Sequence, residues 1–255
     1  MGLIVDVFAA RSDNFGYLVH DTATGRTAAI DAPEAAAIKN ALLYRGWTLS
    51  DIFITHHHID HVEAIPELKA EYGVRVVGPR AEADKIAGLD ELVGAGDQIQ
   101  LGETVFDVYA APGHTLGHVV FHDKVGKHLF TADALFSLGV GRMFEGTPGP
   151  MWNGIKALRD FPDDTLIYCG HEYTESNARF ALSVDPDNKA LQARAEEVKA
   201  LRQAGKATIP VSLGTEKATN PFLRADDKVI AAYYGLENAA PAEVFAALRK
   251  GKDSF

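Results

Sequence analysis

With 255 residues, 47% of them hydrophobic and 24% charged, the chain is long enough to bury a sizeable core and has the composition of an ordinary globular protein. A formal net charge of -10 excludes general attraction to nucleic acid or to an anionic membrane, because each phosphate contact needs a Lys or Arg, so any anionic ligand must meet a local basic patch. The lone Cys169 cannot form an internal disulfide, the stretch Met1 to Asp6 meets an acid before a signal-peptide core can form, and no apolar run reaches membrane-span length; a cytoplasmic monomer is expected.

Short strand-like runs open the chain, Ile4 to Ala9, Phe15 to His20 and Ala28 to Asp31, with turn clusters at Ser12-Asp13-Asn14 and Thr24-Gly25-Arg26, which predicts an antiparallel meander. Pro33 stands at a first helical position, and Ala37, Ile38, Ala41 and Leu42 form a helical face ending near Gly46. A strand over Ile52 to Thr55 runs into Thr55-His56-His57-His58-Ile59-Asp60-His61, and Val62, Ile65, Leu68 and Tyr72 then recur at helical spacing up to Gly73. Arg75 to Val77 is strand again. Strand, ligand-rich loop, helix and strand make an α/β arrangement with function at the strand's carboxyl end.

Val105 to Ala110, Val119 to His122 and His128 to Thr131 read as further strands, and loops in this region carry His114 and Asp133. Met151, Ile155 and Leu158 mark a helix, and Leu166 to Cys169 a buried strand running straight into Gly170-His171-Glu172. Beyond Tyr173 the texture is helical. Leu191, Ala195, Val198 and Leu201 fit one helix, Val229, Ile230 and Tyr233 a second, and Val244, Ala247 and Leu248 a third from Pro241, while Ile209 to Arg224 reads as irregular. The shift near residue 174 predicts a domain boundary, 1–173 against 174–255.

If the chain stays extended after Thr55, His56 and His58 share one side and His57 points away, while Asp60 and His61 face a second point as the helix begins. Imidazole and carboxylate without thiolate suit Zn²⁺, Fe or Mn and exclude the Cys-rich structural zinc site. Adding His114 to the first set and His171 to the second provides each of two ions with three protein ligands, and leaves Asp133 as a bridge. Two ions ~3.5–4 Å apart lower the pKa of a shared water toward ~7. The expected nucleophile is therefore a hydroxide between the metals, with Asp60 and Asp133 as the carboxylates of catalysis; no Gly-x-Ser-x-Gly elbow is present to supply a serine.

The run from Thr55 to His61 resembles the His-x-His-x-Asp-His signature of the metallo-β-lactamase superfamily, with His114, Asp133 and His171 following in order. Asp13 to Val19, Ala111-Pro112-Gly113-His114-Thr115, Thr131-Ala132-Asp133, Cys169 to Thr174, Asn220 to Arg224 and Lys252-Asp253-Ser254-Phe255 are similar to the glyoxalase II family, the hydroxyacylglutathione hydrolases, over essentially the whole chain. The resemblance implies a four-layer αβ/βα sandwich over residues 1–173 and a helical glutathione-binding domain over 174–255. It also implies hydrolysis of S-D-lactoylglutathione to D-lactate and glutathione, the second step of methylglyoxal detoxification. By that pattern His56, His58 and His114 hold one metal, Asp60, His61 and His171 the other, zinc first among the candidates, and Asp133 bridges. Arg142, Phe144, Tyr173, Arg224 and Lys228 fall at substrate-contacting positions; where the family often has Lys and Tyr in its Gly-rich loop, this chain has Arg142, which keeps the charge, and Phe144, which lacks the hydroxyl.

Other readings make distinct expectations. Asp133 can instead cap a following helix, and Asp31 can either cap the helix after Pro33 or orient a ligand imidazole. His57, His118 and His122 read as hydrogen-bonded loop or strand histidines, with a place behind a ligand the other reading of His118, and Cys169 as a core residue. A one-iron persulfide dioxygenase of the same superfamily, or a noncatalytic module stabilised by metal, are the alternative functions.

Overall fold

The computed structural model describes residues 2–255. They form two units, 2–110 with Gly117–Phe130, and Ala111–Leu116 with Thr131–Phe255.

In the first unit, β1 (Leu3–Ala10), β2 (Asn14–Asp21) and β3 (Thr27–Ile30) are the expected antiparallel meander, with Val5 opposite Val19 and Leu18 opposite Ala29. The chain then climbs α1 (Ala35–Arg45) and returns as β4 (Asp51–Phe53), parallel to β3. Pro33 lies outside α1, whose N-cap is Glu34, and Gly46 closes it in the left-handed conformation that a side chain resists. After β4 come α2 (Ile59–Val62), α3 (Ile65–Tyr72), β5 (Arg75–Pro79) and β6 (Glu91–Val93), the last two extending the sheet in parallel. The single helix expected from Val62 is two, because Pro66 lacks an N–H and fits only the first turn of a new helix. β4 also stops at Phe53, short of the expected Thr55.

The four strands β7 (Gln98–Leu101), β8 (Thr104–Ala110), β9 (Val119–Asp123) and β10 (His128–Ala132) are antiparallel, and β10 runs on past Phe130 into the second unit. Ile38 and Leu42 of α1 and Ile65 and Leu68 of α3 cover one face of the first sheet against Leu18, Ala29, Ile52 and Val76. The other face meets the second set of strands. Phe53 packs edge-on to Phe106 at 5.6 Å and to Phe121 at 6.0 Å, and Tyr17 to Phe130 at 5.7 Å. Burying each such ring contributes about 1.5–3 kcal/mol and the edge-on geometry about 0.5–1.5 kcal/mol more, so this layer sets the sheet spacing from which the ligand loop departs.

The second unit holds the hairpin β11 (Leu135–Phe136) and β12 (Gly139–Val140), α4 (Pro148–Leu158), β13 (Leu166–Cys169), α5 (Thr174–Val184), α6 (Lys189–Gln203), β14 (Val211–Ser212), α7 (Leu213–Thr219), α8 (Lys228–Tyr233) and α9 (Pro241–Asp253). The segment from Ile209 to Arg224 is not irregular, as its apolar spacing suggested: β14 pairs with β13, Ser212 caps α7 by accepting from Thr215 N–H, and Asn220 accepts from Phe222 N–H to start a 3-10 turn. Such local polar closures leave no apolar periodicity to read. Phe222 is clamped between Phe180 at 6.0 Å and Phe245 at 5.8 Å.

A buried polar hub joins this helical part to the hairpin. Glu216 accepts from Ser137 Oγ and Leu138 N–H, both at 2.8 Å, and from Asn220 Nδ2 at 3.0 Å, while Asn220 also donates to the Phe136 and Gly139 carbonyls at 3.2 and 3.1 Å. Burial raises the Glu216 carboxyl pKa, against those stabilising bonds. The Asn220-Pro221-Phe222 segment thus fixes the turn that lies between Asp133 and Arg142 in the chain. Among the described residues no helix is long and apolar enough to cross a membrane.

Candidate metal centre

Four of the seven expected ligands lie in the first unit, on the stretch that leaves β4 and enters α2. His56 is fully buried, and its ring stands 4.8 Å from that of His58 and 4.2 Å from that of His61. His61 donates from Nδ1 to Asp31 Oδ2 at 2.8 Å, and its Nε2 lies 3.4 Å from Asp60 Oδ2. Asp31 does not cap a helix; it orients the imidazole, and it also accepts from Thr55 N–H at 2.8 Å and Thr55 Oγ at 2.9 Å. Since the Thr55 hydroxyl spends its proton on Asp31, it accepts from His56 Nδ1 at 3.0 Å, which leaves His56 Nε2 as the lone-pair nitrogen. Asn14, from the motif at the start of β2, donates to Asp60 Oδ2 at 3.0 Å.

The other three lie in the second unit. His114 donates from Nδ1 to the Arg142 carbonyl at 2.9 Å, and its Nε2 stands 3.2 Å from Asp133 Oδ2. The Nε2 of His171, just past β13, stands 3.4 Å from the same oxygen. No helix follows Asp133; the chain enters β11, so the capping alternative has nothing to cap. Gly141 is required here, because a Cβ would fall 2.0 Å from the Asp133 carbonyl oxygen and 3.0 Å from His114 Nδ1. Ala132, immediately before Asp133, has φ of 41°, a strained value for a residue with a side chain.

The donor set fits divalent metal. Three histidines have Nδ1 engaged by a carboxylate, a hydroxyl or a carbonyl, which fixes the tautomer that presents Nε2 to an ion. Two ligands of a tetrahedral zinc, each at roughly 2.0–2.1 Å, stand ~3.3 Å apart. The three nitrogen–oxygen separations of 3.2, 3.4 and 3.4 Å have that spacing, longer than a charge-assisted hydrogen bond prefers.

His57 is set apart: its Nδ1 bonds to Glu82 Oε2 at 2.8 Å. His118 stacks on His56 with ring centroids 4.7 Å apart, and His122 is a buried strand residue whose pKa is lowered by burial. Cys169 is a core residue, its thiol pushed up to about 12 by burial.

Of the expected substrate contacts, Phe144 is 62% exposed and packs edge-to-face with His114, ring centroids 5.3 Å apart, and Tyr173 stacks flat on His171 with centroids 4.8 Å apart. Arg142 is exposed, with Nε 3.9 Å from Asp253 Oδ1. Arg224 is instead gripped by two carboxylates, Asp185 Oδ2 at 2.5 Å and Asp227 Oδ2 at 2.7 Å; Asp227 caps α8, whose first residue is the exposed Lys228. Sequence reasoning missed Arg249 and Lys252, one turn apart on α9. Arg249 donates to the Val140 carbonyl at 2.8 Å, and Lys252 Nζ to Ser176 Oγ at 2.9 Å. The Lys252 pKa is lowered by burial first, then by Arg249, Arg179 and Arg142 around it. In a chain of net charge -10, these four cations make a local basic cluster, with Asp253 beside Arg142 and Arg249. Its sequence signal was the i, i+3 pair of cations close to the chain end.

Residues 3–171 match the Metallo-beta-lactamase superfamily and residues 172–255 the Hydroxyacylglutathione hydrolase C-terminus. The chain is 52% identical over 255 residues to a protein named Hydroxyacylglutathione hydrolase from Chelativorans sp. (strain BNC1), covering 100% of both, and 53% identical over 253 residues to one of that name from Bradyrhizobium sp. (strain ORS 278), covering 99% of both. Among solved structures, ETHE1 from Myxococcus xanthus superposes with a TM-score of 0.67 at 26% identity over 98% of this chain and 99% of that one. The BLEG-1 B3 metallo-beta-lactamase superposes with a TM-score of 0.67 at 18% identity, over 86% of this chain and 99% of that one, and so shares the fold. The expected sandwich with a helical C-terminal part is the architecture of this group.

Proposed function

Because the chain belongs to the hydroxyacylglutathione hydrolases of the metallo-β-lactamase superfamily, we propose that it binds two divalent ions and cleaves S-D-lactoylglutathione to D-lactate and glutathione. In this reading His56, His58 and His114 hold one ion, Asp60, His61 and His171 the other, and Asp133 serves both. The observation that carries it is Asp133 Oδ2 standing 3.2 and 3.4 Å from the Nε2 atoms of two histidines. Zinc fits the donors best, and iron or manganese is accepted by the same atoms. When bound, the ions supply Lewis acidity toward the thioester carbonyl and a water of lowered pKa at neutral pH.

The residues of the chain do the rest. Asp31, Thr55 and the Arg142 carbonyl hold three imidazoles in the tautomer and orientation that ligation needs. Arg142 and Lys252 receive the carboxylates of the glutathione moiety, with Lys228 a further cation, Arg249 tying α9 to the Val140 carbonyl, and Arg224 fixing the start of α8 through Asp227. Phe144 and Tyr173 present apolar faces beside His114 and His171 that border the acyl part of the substrate. The net change is a new carbon–oxygen bond from water, a broken carbon–sulfur bond, and a proton delivered to the departing thiolate. Residues 1–173 carry the chemistry together with the Arg142 and Phe144 loop, and 174–255 supply the remaining glutathione-binding groups. A persulfide dioxygenase is not favoured, since the full-length relatives carry the hydrolase name. The buried, reduced Cys169 suits a cytoplasmic setting.

The test is metal analysis and turnover on one preparation. Two ions per chain, with glutathione and D-lactate released in equal amounts, is the expected result. Full metal occupancy without cleavage, or oxygen uptake with glutathione persulfide instead, refutes it.

A further inference from the structure

Between Phe53 and Ile59 the chain has neither strand nor helix to absorb its backbone hydrogen bonds, although it carries two ligands and is buried at Ile54, Thr55 and His56. Buried N–H groups must find partners. Ile54 donates to the Val77 carbonyl at 2.8 Å, and Thr55 to Asp31 at 2.8 Å. His57, which lies between the two ligands, donates its N–H to Glu82 Oε2 at 2.7 Å, and its ring Nδ1 bonds the same oxygen at 2.8 Å. The other carboxylate oxygen, Oε1, accepts from Gly117 N–H at 2.9 Å. Glu82 is 1% exposed and ends a short 3-10 turn after β5, so a buried carboxylate from another element reaches the ligand loop. Gly117 leaves room for this approach, because a Cβ there would fall 2.4 Å from Glu82 Cγ and 2.9 Å from Ala81 Cβ.

We infer that Glu82 is a positioning residue of the metal centre, fixing the backbone between His56 and His58 and tying it to Gly117, which follows His114 by three residues. The inference rests on the two-metal reading above. A buried carboxylate with three donors on its two oxygens makes these bonds in one arrangement only. Glutamine cannot reproduce it: it has one acceptor oxygen, and whichever way it is turned its amide nitrogen confronts an N–H of His57 or of Gly117. The slack this introduces falls on the loop that aims His56 and His58, while no group that receives the substrate is moved.

The experiment measures Zn²⁺ affinity by competition with a chromophoric chelator, the visible spectrum of the Co²⁺-loaded protein, KM and kcat at saturating metal, and the melting temperature of the metal-free protein. It compares wild type, Glu82→Gln and Gly117→Ala, the last keeping the carboxylate but displacing it. Loss of about tenfold or more in Zn²⁺ affinity, an altered Co²⁺ spectrum and a lowered kcat with KM within about twofold of wild type are expected for both variants. Should one variant not accumulate as folded protein, the other decides. Zn²⁺ affinity within about twofold of wild type with an unchanged Co²⁺ spectrum overturns the inference, as does a weakening matched by melting of the metal-free protein with the spectrum intact. A wild-type chain that fails to bind two Zn²⁺ overturns the two-metal reading instead, and is seen before any variant is compared.

Discussion

Replacing Asp31 with Asn is the sharpest probe of how the ligand loop is held. Asp31 takes Thr55 N–H on Oδ1, and Thr55 Oγ and His61 Nδ1 on Oδ2, all at 2.8–2.9 Å in a buried setting. Asn tolerates the Asp31 φ of 59°, so no backbone strain is added. Its carbonyl can replace Oδ2, but its amide then faces Thr55 N–H, donor against donor. A bond to a charged acceptor contributes about 1.5–3 kcal/mol, and the orphaned donor costs in the same range, so a net loss of about 2–3 kcal/mol is expected. At about 2–4 °C per kcal/mol for a protein of this size, the metal-free melting temperature should fall by roughly 5–10 °C. Zn²⁺ affinity should fall by about 10–100-fold as well, because His61 loses its charged orienting partner. The assays are calorimetry after chelation and Zn²⁺ competition on the same variant. A melting temperature within about 1 °C of wild type, with unchanged Zn²⁺ affinity, would show that the Asp31 bonds do not hold the site.

Three other outcomes follow from the same geometry. Lys252→Met should raise KM for the glutathione thioester by about tenfold or more with kcat nearly unchanged, the loss of one charged contact made equally in ground and transition states; a drop in kcat at constant KM would place Lys252 elsewhere. Gly141→Ala should abolish activity and lower metal content, because its Cβ would fall 2.0 Å from the Asp133 carbonyl oxygen; metal analysis showing two ions bound would contradict this. Asp21 is buried, which opposes ionisation, but bonds from Thr24, Thr104 and Glu103 outweigh this and hold its carboxyl below the ordinary 3.8. Its folded value being the lower one, Asp21 adds stability that is fully present above pH 3.8 and is lost as pH falls through the folded value. Acid titrations of stability for wild type and Asp21→Asn should therefore converge below that range and diverge above it, and parallel curves would refute the assignment.

Much of the site was legible because its chemistry is concentrated in the chain. His56, His58, Asp60 and His61 sit within six residues where no core has use for them, and His114, Asp133 and His171 each stand beside small residues at the ends of loops or strands. Alternation alone separated His57 from its neighbours, and its bond to Glu82 agrees. Arg224 shows the opposite. In the sequence it is a cation after Asn220-Pro221-Phe222-Leu223, but the fold surrounds it with Asp185 and Asp227, while the cations Arg249 and Lys252 come from a terminal helix whose partners lie far back in the chain.

What the sequence determined by itself was residue type and local period: which positions are apolar every second or every third to fourth residue, where turns interrupt them, and which side chains can bind a metal. Those are properties of neighbours a few positions apart, set by backbone geometry. Only the tertiary structure decided the partners. Glu82 meets His57 across 25 positions, Asp31 meets His61 across 30, and His114 meets Arg142 across 28. No local pattern encodes such pairings, because they arise when strands and helices that are separately stable pack together and each buried donor must find an acceptor within reach.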